Sequence, residues 1–135
     1  MTDATKFLHQ SMPLARTLGM SAVTLAPDEV VLSLEWAAEL CTAGGVLHGG
    51  AIMALADSAG AACAFANLPD GDAATATIES KTNFLAGVRR GTVSARARPL
   101  HVGRTTIVVE TEVHDETDRL VAKVTQTQAI TYPSG

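Results

Sequence analysis

Cysteine is nearly absent from the chain. Cys41 and Cys63 are the only two in 135 residues, and they form neither a CxxC pair nor a metal-ligand spacing. The four histidines, His9, His48, His101 and His114, show no ligand spacing either, so no metal site is expected. Aromatic residues make up only 4% of the chain, against 47% hydrophobic residues in all, so Ala, Val, Leu and Ile must fill the interior. Excess positive charge is lacking too: the formal charge is -4 and the pI about 5.4. This argues against a nucleic-acid partner, which needs a basic face, while leaving room for a local basic patch around an anionic ligand. The first ten residues, MTDATKFLHQ, are polar and contain no apolar signal core, so a cytoplasmic location is the expectation.

What is present suits one domain over residues 1–135, with enough chain for a sizeable core. Leu8, Met12 and Ala15 share one face of a short helix over residues 4–16, placed within an N-terminal segment 1–17. Strands are expected over 18–25 and 30–36, with Pro27-Asp28-Glu29 turning between them. A loop broken by Gly44-Gly45 leads to a long helix over 49–67, ended by Leu68-Pro-Asp-Gly-Asp72. Four more strands are read over 75–85, 91–100, 105–114 and 120–131. In the third of these, Ile107, Val109, Thr111 and Val113 share one face and Glu110, Glu112 and His114 the other. Strands in uninterrupted runs imply an antiparallel sheet and an α+β fold. A single long apolar helix must be surrounded to be buried, and a six-stranded sheet curled round it does so. Such a sheet covers only part of the helix, so a second subunit is expected to cover the rest.

The long helix holds the most informative residue. Asp57 is the only carboxylate from Gly49 to Leu68, in a stretch otherwise made of alanine, glycine and other apolar residues. An unpaired carboxylate is costly to bury, by several kcal/mol in practice, so a chain that keeps one there is expected to use it. The stretch has about the length of a membrane span. Its central Asp and its many Ala and Gly residues fit a buried helix of a globular fold better, and no membrane association is expected.

The segments Gly45-Val-Leu-His-Gly-Gly50, Asp57 and Thr77-Ile-Glu-Ser-Lys-Thr-Asn-Phe84 resemble the hotdog-fold thioesterases. More narrowly, the chain is similar to the phenylacetate-degradation (PaaI-like) acyl-CoA thioesterases. The telling feature is an HGG motif opening a helix, with an acid nine residues after the histidine, inside an αββαββββ order. The resemblance implies a hotdog fold, an acyl-CoA substrate, no cofactor, and active sites across the interface of a homodimer that assembles further to a homotetramer.

Thioester hydrolysis needs an attacking group and a site for the developing oxyanion. First-turn amides of a helix have no intrahelical acceptor and sit at the positive end of its dipole. Gly49 and Gly50 lack Cβ, so a carbonyl can approach those amides closely. The Gly49 amide is thus the candidate oxyanion donor and Gly50 a candidate substrate contact; the plainer reading is a helix entry with unusual dihedrals. Asp57 is the candidate base or nucleophile, against a purely structural carboxylate. It lies seven residues beyond Gly50 on the same face, about 10 Å along the axis, too far for both to act on one carbonyl from one chain. Asp57 should therefore work on a substrate held by the other subunit's helix start, and should lie in an interface cleft.

The resemblance adds further residues. It makes His48 a loop-positioning residue that can reach the thioester, against a side chain that only shapes the turn. Thr77 falls where related enzymes carry a Ser or Thr that orients the water or the acid, against an ordinary strand threonine. Many PaaI-like enzymes have an Asn six residues before the His; here it is Thr42, with a hydroxyl in place of the amide. A neighbouring branch pairs a catalytic Glu with a Thr one turn later, where this chain has Ala61. For the CoA phosphates, Arg89, Arg90 and Arg104 are the candidates, against ordinary surface charge. Ala54, Ala61, Leu8 and Met12 are expected to line the acyl tunnel. A non-catalytic acyl-CoA binder and a hydratase or dehydratase on the same fold are the alternatives.

Overall fold

A computed structural model describes residues 1–133. The N-terminal segment forms two helices rather than the single one expected: α1 (Asp3–Ser11) and α2 (Pro13–Leu18). Pro13 has no N–H and its ring clashes with a preceding carbonyl, so the first helix ends at Met12 and the proline takes the first position of the second. Thr2 caps α1 by accepting from the Thr5 amide at 3.1 Å. Gly19, at φ +80°, closes α2 in the left-handed conformation. That is why the first strand starts three residues later than the apolar pattern suggests.

The strands are β1 (Ser21–Ala26), β2 (Glu29–Glu35), β3 (Ala74–Phe84), β4 (Thr92–Val102), β5 (Thr106–His114) and β6 (Leu120–Thr131). The long helix α3 (Gly49–Ala66) falls between β2 and β3. All six strands join one antiparallel sheet in the order β1-β2-β4-β5-β6-β3. This is the α+β architecture expected, a six-stranded antiparallel sheet with one central helix against it. β4 runs two residues past its expected end although it contains Pro99. A register shift between Pro99 and His101 absorbs the missing donor and lets pairing resume.

The face of α3 turned to the sheet is built from small residues. Ala56, Ala59, Cys63 and Ala64 are fully buried, with Ile52 and Leu55 as the larger members. Opposite them stand Leu32 and Leu34 of β2, Val93 and Ala95 of β4, and Ile107, Val109 and Val113 of β5. At about 0.8 kcal/mol per buried methylene, the alanines contribute little individually. Their effect is to let the helix lie close, so that the sheet's branched residues are covered. Cys63 behaves as a small core residue, its thiol pushed up to about 11 by burial and then by the nearby Asp28 charge. Asn67 follows the helix and ties its end to the β1–β2 turn, donating from Nδ2 to the Pro27 carbonyl (2.7 Å) and the Cys63 carbonyl (2.8 Å).

The two edges of the sheet differ. β1 is overlaid by α1, where Thr5 Oγ1 accepts from the Ala22 amide at 3.0 Å. β3 pairs only with β6 and is exposed along nearly its whole length on both faces. The outer face of the sheet is polar. Glu29 takes both Arg96 and Arg98 at 2.8 Å, and these guanidiniums hold its carboxyl below the usual range.

The β5–β6 turn is organised by one carboxylate. Asp115 Oδ1 accepts from the Thr117 amide (2.9 Å), the Thr117 hydroxyl (2.7 Å) and the Arg119 amide (3.0 Å). These bonds, led by the Thr117 hydroxyl, hold its pKa at about 2, down from 3.8. A depressed carboxylate stabilises the fold above its unfolded pKa and loses that effect as pH falls through the folded one. Asp115→Asn should therefore unfold at lower temperature than the parent near neutral pH. The gap should close as pH falls from 3.8 to about 2, as thermal melts at stepped pH would show.

Candidate functional site

The start of α3 is capped by the histidine that precedes it. His48 is extended (φ -60°, ψ 133°), and its Nδ1 accepts from the Gly50 amide at 2.7 Å. Nδ1 therefore carries no proton, and in the neutral ring the proton sits on Nε2. The Ala51 and Ile52 amides bond the His48 carbonyl at 2.9 and 3.2 Å. Of the first-turn amides this leaves Gly49 without such a partner. The two glycines make room for the protein's own rings. A Cβ on Gly50 would stand 2.9 Å from His48 Nδ1, and one on Gly49 would stand 3.1 Å from Phe84 Cζ. The Gly50 amide, expected to face substrate, is instead occupied by His48.

His48 also ends a tight ribbon. Its amide bonds the Leu40 carbonyl and the Thr42 amide bonds the Val46 carbonyl, both at 2.8 Å, around a Cys41–Leu47 bridge. This register sets Thr42 diagonal to His48 on one face of the ribbon. Gly44 and Gly45, both at positive φ, turn its tip. The tip is pinned by Trp36 Nε1 on the Gly45 carbonyl (3.0 Å) and by Arg89 on the Gly44 carbonyl (3.2 Å). Thr42 is exposed.

Asp57 is exposed in the protomer, on a flank of α3 that a side chain of the sheet still reaches. The cost that singled it out in the sequence is thus not incurred within one chain. Met53 and Phe65 stand exposed on the same helix. Asp57 Oδ1 accepts one hydrogen bond, from Nε2 of Gln126 on β6, at 3.1 Å. Thr77 Oγ1 accepts from Nε2 of Gln128 on the same strand, at 2.7 Å. Thr77 and Phe84 are seven apart, so strict alternation would put them on opposite faces of β3. A register shift between Thr77 and Glu79, with Ile78 as the extra residue, puts both on the face that Gln126 and Gln128 share.

Gln126 and Gln128 are functional candidates that the sequence reading missed. Both are fully buried, at positions where β6 otherwise turns Val124 and Ile130 inward. The signal was available: two amides at the core-facing period of a strand.

An apolar groove of about 420 Å³ opens beside α3. Leu8, Met12 and Ala61, three of the four residues expected to hold the acyl group, line it with Phe7, Phe65 and Thr75. Ala54 is not among the lining residues. Ala61 is one turn beyond Asp57, about 6 Å along the axis.

The arginines do not converge within one protomer. Arg89 and Arg90 precede β4 and Arg104 follows it, so the 11-residue strand separates them by some 30 Å. Arg89 supports the loop tip, Arg90 stands 3.9 Å from Glu116, and all three are exposed. Among the described residues, no group of three or more His, Cys, Asp or Glu could hold a metal ion.

Known proteins share both the sequence and the geometry. The family model of the thioesterase superfamily matches residues 44–122, from the loop before α3 into β6. The chain is similar to a 1,4-dihydroxy-2-naphthoyl-CoA hydrolase of Listeria monocytogenes, 33% identical over 110 residues, which is 82% of this chain and 89% of that protein. A relative from Bacillus subtilis, ComA2, is 44% identical over 77 residues, 57% of this chain and 61% of its own length. Among solved structures, a mutant thioesterase PA1618 of Pseudomonas aeruginosa superposes with a TM-score of 0.88 at 26% identity, covering 97% of this chain and 96% of that one. A thioesterase family protein of Silicibacter pomeroyi gives 0.84 at 30% identity, covering 94% and 95%.

The cap at the start of α3 has a measurable worth. His48→Ala should lose about 1 kcal/mol of stability in denaturant unfolding, the usual cost of removing a helix N-cap. Gly50→Ala should lose a comparable amount, because its Cβ would press on the His48 ring.

Proposed function

This chain belongs to the thioesterase superfamily, and we propose that it hydrolyses an acyl-CoA thioester to the free acid and CoA, as a homodimer. The observation that carries this reading is the position of Asp57. It is an accessible carboxylate on an apolar helix face, tethered by one buried amide and one turn from an apolar groove. The similarity to a hydrolase of an aromatic acyl-CoA supports the choice of substrate class.

In the proposed reaction the thioester carbonyl oxygen is bound by the Gly49 amide, at the positive end of α3. The partner's Asp57 acts as base or nucleophile. As base it takes a proton from water, whose oxygen attacks the carbonyl carbon. The tetrahedral intermediate then collapses, the C–S bond breaks, and CoA leaves as the thiolate. A second copy is required because Gly50 and Asp57 of one chain are about 10 Å apart along the helix. The exposed edge of β3 and the exposed apolar residues of α3 are the surfaces a second copy would cover. A tetramer would pair two such dimers.

Thr77 orients the water or the carboxylate. Its hydroxyl already receives the Gln128 amide, so its own proton is free to donate. His48 holds the oxyanion donor in place by capping the next amide, and Thr42 lies beside it on the ribbon. Arg89, Arg90 and Arg104 reach the CoA phosphates from different protomers, not from one rim. Among the described residues no charged side chain lines the groove beside α3, so the acyl group it takes is apolar.

Free-thiol release should be followed over a panel of aliphatic and aromatic acyl-CoAs. Asp57→Ala should remove turnover, by a factor of 10³ or more for loss of an essential base or nucleophile, with the melting temperature kept. Turnover left intact in a folded Asp57→Ala protein would sink the reading. Tight acyl-CoA binding without thiol release in the parent would favour a binding protein, the alternative to which Thr42 points. Ala61→Phe should cut activity on the longest acyl groups most, by narrowing the groove, and spare the shortest.

A further inference from the structure

Gln126 has no place in the chemistry just described, yet the fold makes room for it at a specific cost. It is completely buried on the inward face of β6. Its side chain reaches α3 at Gly60, where the helix has no side chain: a Cβ there would stand 1.4 Å from Gln126 Oε1 and 2.5 Å from its Cδ. Any residue but glycine at position 60 would expel the amide from this notch. The amide is not there to satisfy the core. Its Oε1 is buried with no hydrogen-bond partner among the described residues, a burden that an apolar side chain of the same length would not carry. The one bond it makes is from Nε2 to Asp57 Oδ1, at 3.1 Å.

We propose that Gln126, locked in the Gly60 notch, is a positioning residue that fixes the Asp57 carboxylate for attack. The inference rests on the catalytic reading of Asp57 given above. A carboxylate on an exposed helix face has free rotation about two bonds. A donor rising from the sheet beneath the helix ties one oxygen and leaves the other for water or substrate. A neutral amide suits this task, because it holds the carboxylate without neutralising it as an ion pair would. Seated against Gly60 and fully buried, the amide is held beneath the helix and out of solvent.

Gln126→Met keeps the length and removes the amide. It should lower kcat roughly 10- to 100-fold, the range for losing an orienting contact at a reacting group, with KM held within about twofold and the melting temperature equal to the parent's or higher. In an Asp57→Ala background the same substitution should change nothing further. A second pair of variants covers the case in which Gln126→Met folds poorly. Gly60→Ala should lower both stability and kcat. Adding Gln126→Asn to it clears the new Cβ but leaves the side chain one methylene short of Asp57. Stability should then return while kcat stays low. A residue that mattered only for packing would give back both together. A kcat within about twofold of the parent for folded Gln126→Met, or full recovery of kcat in Gly60→Ala/Gln126→Asn, overturns the inference. If Asp57→Ala itself retains turnover, it is the catalytic reading that fails. If Asp57→Ala is inactive and Gln126→Met is not, only the positioning role fails.

Discussion

The close seating of α3 on one face of the sheet is the contact on which the rest of the molecule depends. Ala56, Ala59, Gly60, Cys63 and Ala64 leave almost no side-chain bulk between helix and strands. The helix axis can therefore lie low over β2, β4 and β5. Larger residues there would lift it and open voids that a core with 4% aromatics could not fill. Low seating also brings Gln126 of β6 up to Gly60, from where it bonds an aspartate on the helix flank. A one-sided contact leaves the other helix face uncovered. Asp57 is accessible for that geometric reason.

A second constraint acts at the helix start. The ribbon over residues 40–48, its glycine tip and the His48 cap form one hydrogen-bonded unit, held to the body by Trp36, Arg89 and Val88. Phe84, at the end of β3, lies against Gly49. The exposed edge strand and the helix start thus meet at the Phe84 ring.

Much of this could be read from the residues. The strict alternation of β5 matches the structure position by position, because that strand is flanked on both sides and the register shifts of its two ladders fall on β4 and β6. The HGG–Asp spacing pointed to the helix that carries both features. Other points turned on events that a periodic pattern does not encode. Pro13 was read through as part of one helix, although its missing donor divides the segment in two. The bulge at Ile78 reverses the alternation of β3, so the face on which Thr77 lies could not be counted from Phe84. The two glycines that open α3 were read for the approach of a substrate, and the rings of His48 and Phe84 that stand against them could not be read from the sequence. Gln126 escaped notice because its importance is visible only once Gly60, sixty-six positions earlier in the chain, is seen beside it. Arg89 and Arg90 lie at one end of β4 and Arg104 at the other, a separation that their nearness in the sequence conceals.

The Gly60–Gln126 notch also restricts how this sequence can drift. With Gln126 in place, any side chain at position 60 collides with its buried amide, so a substitution there requires that amide to move. The reverse step is gentler, since shortening residue 126 leaves only a small void. The gentler order of change at the pair is the strand first and the helix second. Two residues far apart in the chain are coupled through the place of one missing Cβ.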